Sequence, residues 1–247
     1  MSGLLNCHTH TPFEAGLNRF VWNLRYEGAN RVPGYYLWEY NGGARGPLAL
    51  PGKYQVRLTV DGKSQMAPLE LKLDPRVPVS QADLEKQFGL LMKIREQLNR
   101  VYAAVNQIED LRTQTEAMKR RLPPDDNGRA LATSADGLTA KLVSIREPLI
   151  NMRISANEDS LAYHPQLDGQ LAFLAMIVAS GCDCGPTDAA VQRYGELKKQ
   201  VDDALGKWTD LQRTDVATFQ KLAIDRGIPP VAIPAEGSAI SSGQNEP

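Results

Sequence analysis

The sequence predicts a multidomain α+β protein, in which an N-terminal immunoglobulin-like β-sandwich precedes an antiparallel, up-and-down bundle of about four helices. Apolar residues recur at every second position between residues 16 and 73, as they do in half-buried strands. From residue 80 onward they recur at steps of three and four, as in amphipathic helices. This change of period assigns residues 15–77 to the sandwich and residues 80–226 to the bundle.

The strands of the predicted sandwich are short and separated by turn signals. Residues 20–26 alternate between large apolar and polar side chains. Residues 54–60 alternate as far as Asp61-Gly62, a pair suited to a type I′ turn, and a second alternating run follows, so the two runs predict a hairpin. Pro68 must lie at a sheet edge or a bulge, because proline cannot donate to a ladder. Since about seven strands are usual in such a sandwich, we expect a truncated or atypical one.

The helices are predicted from apolar spacing and from capping residues. Ser80 followed by Asp83 resembles a capping box, and the long seam that starts there ends before Pro123-Pro124, which cannot continue a helical ladder. Three further helices are predicted: residues 134–154, with a bend at Pro148, a helix starting near Pro165, and a helix capped by Thr187.

The two chain ends are predicted to lack regular structure. Residues 1–14 read as an unstructured N-terminus. Residues 227–247 are rich in Pro, Gly, Ser and Ala, so we expect a disordered tail that cannot offset its ordering entropy.

Composition excludes several classes of partner. The formal net charge is −1, so no basic field is present to attract phosphate backbones, and nucleic acid is not expected. The longest apolar stretch, residues 171–179, is much shorter than the roughly 20 residues of a membrane span. Residues 1–10 carry no secretory signal, and the three cysteines argue against a disulfide framework.

His8 and His10, next to Cys7, form the most suggestive metal-ligand pattern. On a strand, both imidazoles of such a pair lie on one side and can hold a divalent metal, which makes a metal-dependent hydrolase one hypothesis. The only other histidine is His164, and no complementary ligand pattern accompanies it. We therefore favour a solvated terminus and predict no metal and no cofactor.

Cys182-Asp183-Cys184 could bind a soft metal or act as a redox pair. The spacing is CxC and not CxxC, so we favour two ordinary loop thiols. Serines occur near His164, but no GxSxG elbow surrounds any of them. The sequence therefore predicts no catalytic residue, and the chain is expected not to be an enzyme.

Four aromatic residues crowd a short segment: Tyr35, Tyr36, Trp38 and Tyr40. Aromatic rings can stack on the C–H face of a sugar, which makes a carbohydrate-binding module an alternative. The same rings could instead seal an interface between domains, which is the interpretation that we favour.

Several strings resemble a known family: AGLNRFVWNLRY at residues 15–26, GPLALPGKYQVRLTVDG at 46–62, LKLDPRV at 71–77 and GPT at 185–187. They are similar to the C-terminal region of bacterial secreted proteins with sortilin-like, BNR/Asp-box repeat β-propellers, which are often labelled glycosyl hydrolases. The similarity runs over residues 15–228. In that family the region looks like a FlgD-type immunoglobulin-like module plus a helical bundle.

The resemblance implies an accessory role. No Asp-box repeat occurs in this chain, so any hydrolase activity would belong to a propeller outside it. We expect a non-catalytic accessory region that packs on or orients such a propeller in cis, or another protein chain. The resemblance also implies a secreted, periplasmic or extracellular protein, with any export signal belonging to a longer parent.

Overall fold

A computed structural model describes residues 16–37, 45–180 and 184–234. It contains one β-hairpin and a bundle of long helices. The elements in chain order are β1 (Gly52–Val60), β2 (Lys63–Leu71), α1 (Gln81–Lys119), α2 (Asp126–Arg146), a 3₁₀ helix (Asn157–Leu161), α3 (Leu167–Ser180), α4 (Asp188–Leu211), a π-helical segment (Gln212–Val216) and α5 (Ala217–Asp225).

The prediction of an immunoglobulin-like β-sandwich is wrong. In the described part of the chain the only sheet is the two-stranded hairpin. The run at residues 20–26 does not form a strand, because Leu24 adopts a left-handed backbone (φ 61°), and the run keeps a single antiparallel bridge, from Arg25 to Leu48. The alternation at residues 20–26 therefore predicted a strand wrongly, and no second sheet is present among the described residues.

Residues 16–37 and 45–50 form an arm that packs on the bundle instead of completing a sandwich. Val32 and Leu37 are buried in the same apolar cluster as the helices. The ring of Tyr26 meets Phe88 of α1 edge-on, with centroids 5.0 Å apart. The arm and the bundle thus share one core.

The helical part of the prediction agrees with the structure in outline. The Ser80 side chain accepts a hydrogen bond from the backbone N–H of Asp83 at the start of α1, as predicted. Thr187 likewise caps α4 through the N–H of Ala190.

Helix α2 differs from its prediction at both ends. It begins at Asp126 because the Asp125 side chain accepts from the N–H of Gly128, 2.8 Å away. It ends at Arg146, so the expected bend at Pro148 lies beyond the helix.

Helix α1 organises the bundle. At 39 residues it is about 58 Å long, and it packs against α2, α3 and α4. Two apolar clusters follow one another along it. The first contains Ile94 and Val101 with parts of α3, and the second contains Ile108 and Leu111 with parts of α2 and α5.

A π-helical segment joins α4 and α5 without ending the helix. From Leu197 the buried positions of α4 follow steps of three and four as far as Leu211, and the next buried residue is Val216, five positions on. Phe219 and Ala223 then resume the regular steps. The wider π turn accommodates the longer step.

Residues 227–234, part of the predicted disordered tail, pack on the bundle. Val231 is buried in the second cluster. Its carbonyl accepts from Gln220, and Gln114 both donates to and accepts from the backbone of Ala232. The remainder of the predicted tail lies outside the described residues.

None of the described helices combines the length and the apolar character that crossing a membrane requires.

Candidate interaction surface on the hairpin

The hairpin has a fixed register around a tight turn. Asp61 and Gly62 both have positive φ (48° and 75°), as the predicted type I′ turn requires. Val60 pairs with Lys63, and the pairing continues without a bulge to Gly52 and Leu71. Because directly paired residues share a face, this register decides which side chains lie together.

One face of the hairpin is mainly apolar. Its apolar residues, taken from alternate pairs in the register, are Tyr54, Val56, Leu58, Val60, Ala67, Leu69 and Leu71. Gln65 and Lys63 lie on the same face near the turn, opposite Leu58 and Val60. The opposite face is mainly polar and carries Lys53, Gln55, Arg57 and Thr59 on β1. The hairpin is therefore amphipathic, as the alternation predicted.

The apolar face is covered at its base and open towards its turn. At the base the ring of Trp22 meets Tyr54 edge-on, with centroids 6.3 Å apart. Towards the turn Val56, Leu58 and Val60 are 51%, 62% and 43% exposed. A β-branched or leucine side chain on a strand normally packs against a core. This exposed apolar face is therefore the candidate site for contact with a partner.

The arm beside the hairpin adds further exposed apolar side chains. Phe20, Val21, Leu24 and Leu48 all have exposed side chains. The arm itself is held in place, because Tyr26 and Ala49 donate backbone hydrogen bonds to Pro47 and Leu24 respectively.

Hydrogen bonds to α1 fix the arm relative to the bundle. The N–H of Asn30 donates to Asn99 Oδ1 at 2.8 Å, and Asn106 donates to the carbonyl of Arg31 at 3.1 Å. At the base of the hairpin the Tyr54 hydroxyl donates to the carbonyl of Leu50 at 2.6 Å, and partial burial raises the pKa of Tyr54. The open face thus projects from an ordered base.

The aromatic residues predicted as a glycan or interface contact separate in the structure. Tyr35 packs against the bundle, and its hydroxyl donates a hydrogen bond of 2.6 Å to Asp168 Oδ2 in the first turn of α3. Tyr36 is half-buried. Trp38 and Tyr40 lie outside the described residues, so the shared face expected for them stays a prediction.

Asp168 is a buried acid that the sequence analysis did not single out. Asp168 is fully buried, and this burial raises the pKa of its carboxyl to about 7. The hydrogen bond from Tyr35 lowers the same pKa, but by less. Burial next to Asp168 also raises the pKa of Tyr35 and of Tyr102. The other carboxyl oxygen of Asp168 and the Tyr102 hydroxyl are buried without a hydrogen-bond partner in the described part of the chain.

Asp168 has a structural role in the described part of the chain. A solvent-borne substrate cannot reach a side chain with no exposed surface, so its perturbed pKa does not mark an active site. Through Tyr35 it ties the arm to α3. A sequence signal did exist, since Asp168 stands between Leu167 and Leu171 at the start of an apolar helix.

A groove of about 340 Å³ lies between α2 and the π-helical segment. Lys141 and Asp215, which line it, form an ion pair, and the hydrogen bond from Lys141 lowers the pKa of Asp215. Ser134 is the only serine in its lining, and no histidine accompanies it there. Its lining residues contain no Ser-His or Cys-His pair, and the amino group of Lys141 is engaged by Asp215.

The predicted metal-ligand and thiol motifs fall largely outside the described residues. His8, His10 and Cys7 lie in residues 1–15, and Cys182 lies in residues 181–183. Within the described ranges no group of three or more His, Cys, Asp or Glu side chains could hold a metal ion. Cys184 is disulfide-bonded, so the interpretation of this residue as an ordinary loop thiol is wrong.

Comparisons with models of known protein families, with curated proteins and with solved structures find no match to this chain.

Proposed function

We propose that this chain is a non-catalytic interaction module that docks through the apolar face of its hairpin on another protein domain. The partner class that the sequence resemblance implies is a sortilin-like, Asp-box β-propeller, in cis or on another chain, which the module would support or orient. The observation that carries the proposal is the open row formed by Val56, Leu58 and Val60.

The energetics favour a covered state of the hairpin. A two-stranded hairpin with an uncovered apolar face is marginally stable in water. Full burial of a valine or leucine contributes about 1.5–3 kcal/mol, so covering three half-exposed side chains contributes roughly 3 kcal/mol in total. Such a term alone raises affinity about a hundredfold, so polar contacts at the rim must add to it.

The anchoring of the arm also supports docking. Because Asn99, Asn106 and Phe88 of α1 hold the arm, the open face is presented in a defined position before binding. A preorganised surface loses less conformational entropy on association than a mobile one.

The disulfide at Cys184 supports an extracytoplasmic location for the module. Structural disulfides persist in oxidising compartments and are rare in the cytosol. This agrees with the secreted, periplasmic or extracellular setting that the resemblance implies.

The test is titration calorimetry of the purified chain with a purified sortilin-like, Asp-box propeller domain. We expect binding, and we expect Leu58→Ser to weaken it about tenfold or more because it removes an apolar side chain from the centre of the open face. Leu161→Ser is the matched control, since Leu161 is 89% exposed on the 3₁₀ helix, away from the hairpin.

Two results would overturn the proposal. One is the absence of binding between the folded chain and the propeller. The other is a complex whose affinity is the same for the wild type and for Leu58→Ser.

A further inference from the structure

Both strands of the hairpin have an outer edge. A two-residue turn makes Val60–Lys63 a hydrogen-bonded pair, so the next pair, Thr59–Ser64, is non-hydrogen-bonded and its backbone groups point outward. The same alternation turns the backbone of Lys53, Gln55 and Arg57 outward along β1. No backbone hydrogen bond from these four residues to another segment is present in the described part of the molecule.

The two edges are not equivalent. On β2 the outward positions include Met66 and Pro68, and proline has no N–H to offer. On β1 each outward residue keeps its N–H. A strand added to β1 can therefore complete its ladder, whereas a strand added to β2 would face a missing donor.

The polar face beside the β1 edge carries positive charge. Lys53 and Arg57 lie there four pairs apart, and neither has a carboxylate within 4.0 Å among the described residues. Glu70, which stands opposite Lys53, pairs with Lys72 at 3.5 Å. A second copy of β1 would bring like charges together, while acidic side chains on an added strand would be attracted.

We infer that the β1 edge accepts an extended strand of a partner protein in which apolar residues alternate with acidic ones. The acidic residues lie beside Lys53 and Arg57, and the apolar residues extend the open face next to Val56 and Leu58. This inference rests on the proposed function, since it assigns the kind of segment that covers the same surface. The backbone hydrogen bonds supply the polar contacts that apolar burial alone lacks.

The probe is a synthetic peptide as long as β1 that alternates valine with glutamate, titrated into the full chain and followed by amide NMR. Binding should protect the amides of Gln55 and Arg57 from exchange. Gln55→Pro, which removes an outward N–H from β1, should weaken binding about tenfold. Met66→Pro removes an outward N–H from β2 and is the matched control, with an affinity within about twofold of the wild type.

A charge reversal gives a second measurement that does not depend on proline. The Lys53→Glu, Arg57→Glu double variant should no longer bind the peptide that alternates valine with glutamate. It should instead bind a peptide that alternates valine with lysine. Both side chains are exposed, so the variant keeps the fold.

Equal effects of Gln55→Pro and Met66→Pro, together with no exchange of peptide preference in the charge-reversed variant, would overturn strand addition. Failure of the peptide to bind the wild type would also overturn it. If the propeller complex still depended on Leu58 in that case, docking through the apolar face would stand without strand addition. If the propeller failed to bind as well, the proposed function would fall too.

Discussion

Replacing Asp168 with asparagine should remove a large pH dependence of stability. The folded protein holds this carboxyl in its protonated form up to about pH 7, whereas its ordinary pKa is 3.8. Between these two values the folded chain binds one proton more than the unfolded chain. The contribution of the protonated Asp168 carboxyl to the free energy of unfolding is therefore fully present below pH 3.8, and it is lost as the pH rises towards 7.

The magnitude follows from the two pKa values of Asp168. Each unit of difference corresponds to about 1.4 kcal/mol, so the whole interval amounts to roughly 4 kcal/mol. Between pH 5 and pH 7 the free energy of unfolding should fall by about 2 kcal/mol, because the folded carboxyl starts to ionise at the upper end. Asparagine has nearly the same shape, stays neutral and can still accept the hydrogen bond from Tyr35.

Urea unfolding of the wild type and of Asp168→Asn at pH 5, 6, 7 and 8 provides the assay. The contributions of all titratable groups that the two proteins share cancel in the difference between their unfolding free energies. This difference should change by about 2 kcal/mol in favour of the variant between pH 5 and pH 7. Tyr35→Phe removes a hydrogen bond that lowers the pKa of Asp168, so it should move the same transition to higher pH. Parallel curves for the wild type and Asp168→Asn would refute the reasoning.

Three further predictions concern the bundle and its disulfide. Leu142→Ala, at a fully buried position, should cost about 2–5 kcal/mol of unfolding free energy in urea, whereas Leu161→Ala, at an exposed one, should stay within about 0.5 kcal/mol. Gly128→Ala should lower the melting temperature, because a Cβ there would lie 1.9 Å from the carbonyl oxygen of Pro123. Gly137→Ala, in the same helix, places its Cβ where no atom lies within 4 Å, so it should stabilise the protein by about 1 kcal/mol. Thiol titration of the unfolded, unreduced chain should find one free thiol, because Cys184 is disulfide-bonded and the chain has three cysteines; three free thiols would contradict the disulfide.

The local parts of the fold could be predicted from the sequence because their causes are local. The turn at Asp61-Gly62 needs two residues that tolerate positive φ, and the caps at Ser80 and Thr187 need a side-chain oxygen at the right spacing. The spacing of apolar residues then determined which face of each helix is buried.

The prediction of a sandwich failed because alternation indicates an apolar face and not what covers it. Val32 and Leu37, within the range assigned to the sandwich, belong to the helical core instead. For the same reason Val56 and Leu58 of the hairpin surface were predicted to face an interior, whereas both side chains are exposed.

The remaining features depend on contacts between distant residues. Asp168 is 133 positions from Tyr35, and Gln114 is 118 positions from Ala232. The polar side chains in these contacts look ordinary in the sequence. Only the packing of the arm and of residues 227–234 on the bundle shows why they are buried or bonded.

The five-residue step from Leu211 to Val216 acts as a phase correction in the last helix. The π-helical segment holds one residue more than a regular helix needs to bring the next side chain back to the same face. Deleting one residue from it would leave a step of four, which a regular α-helix accommodates, so Phe219 and Ala223 should stay in the core. Inserting one residue would lengthen the step to six and turn the buried face of α5 away from the core by about 100°. A change of residue type at exposed Arg213 should be tolerated.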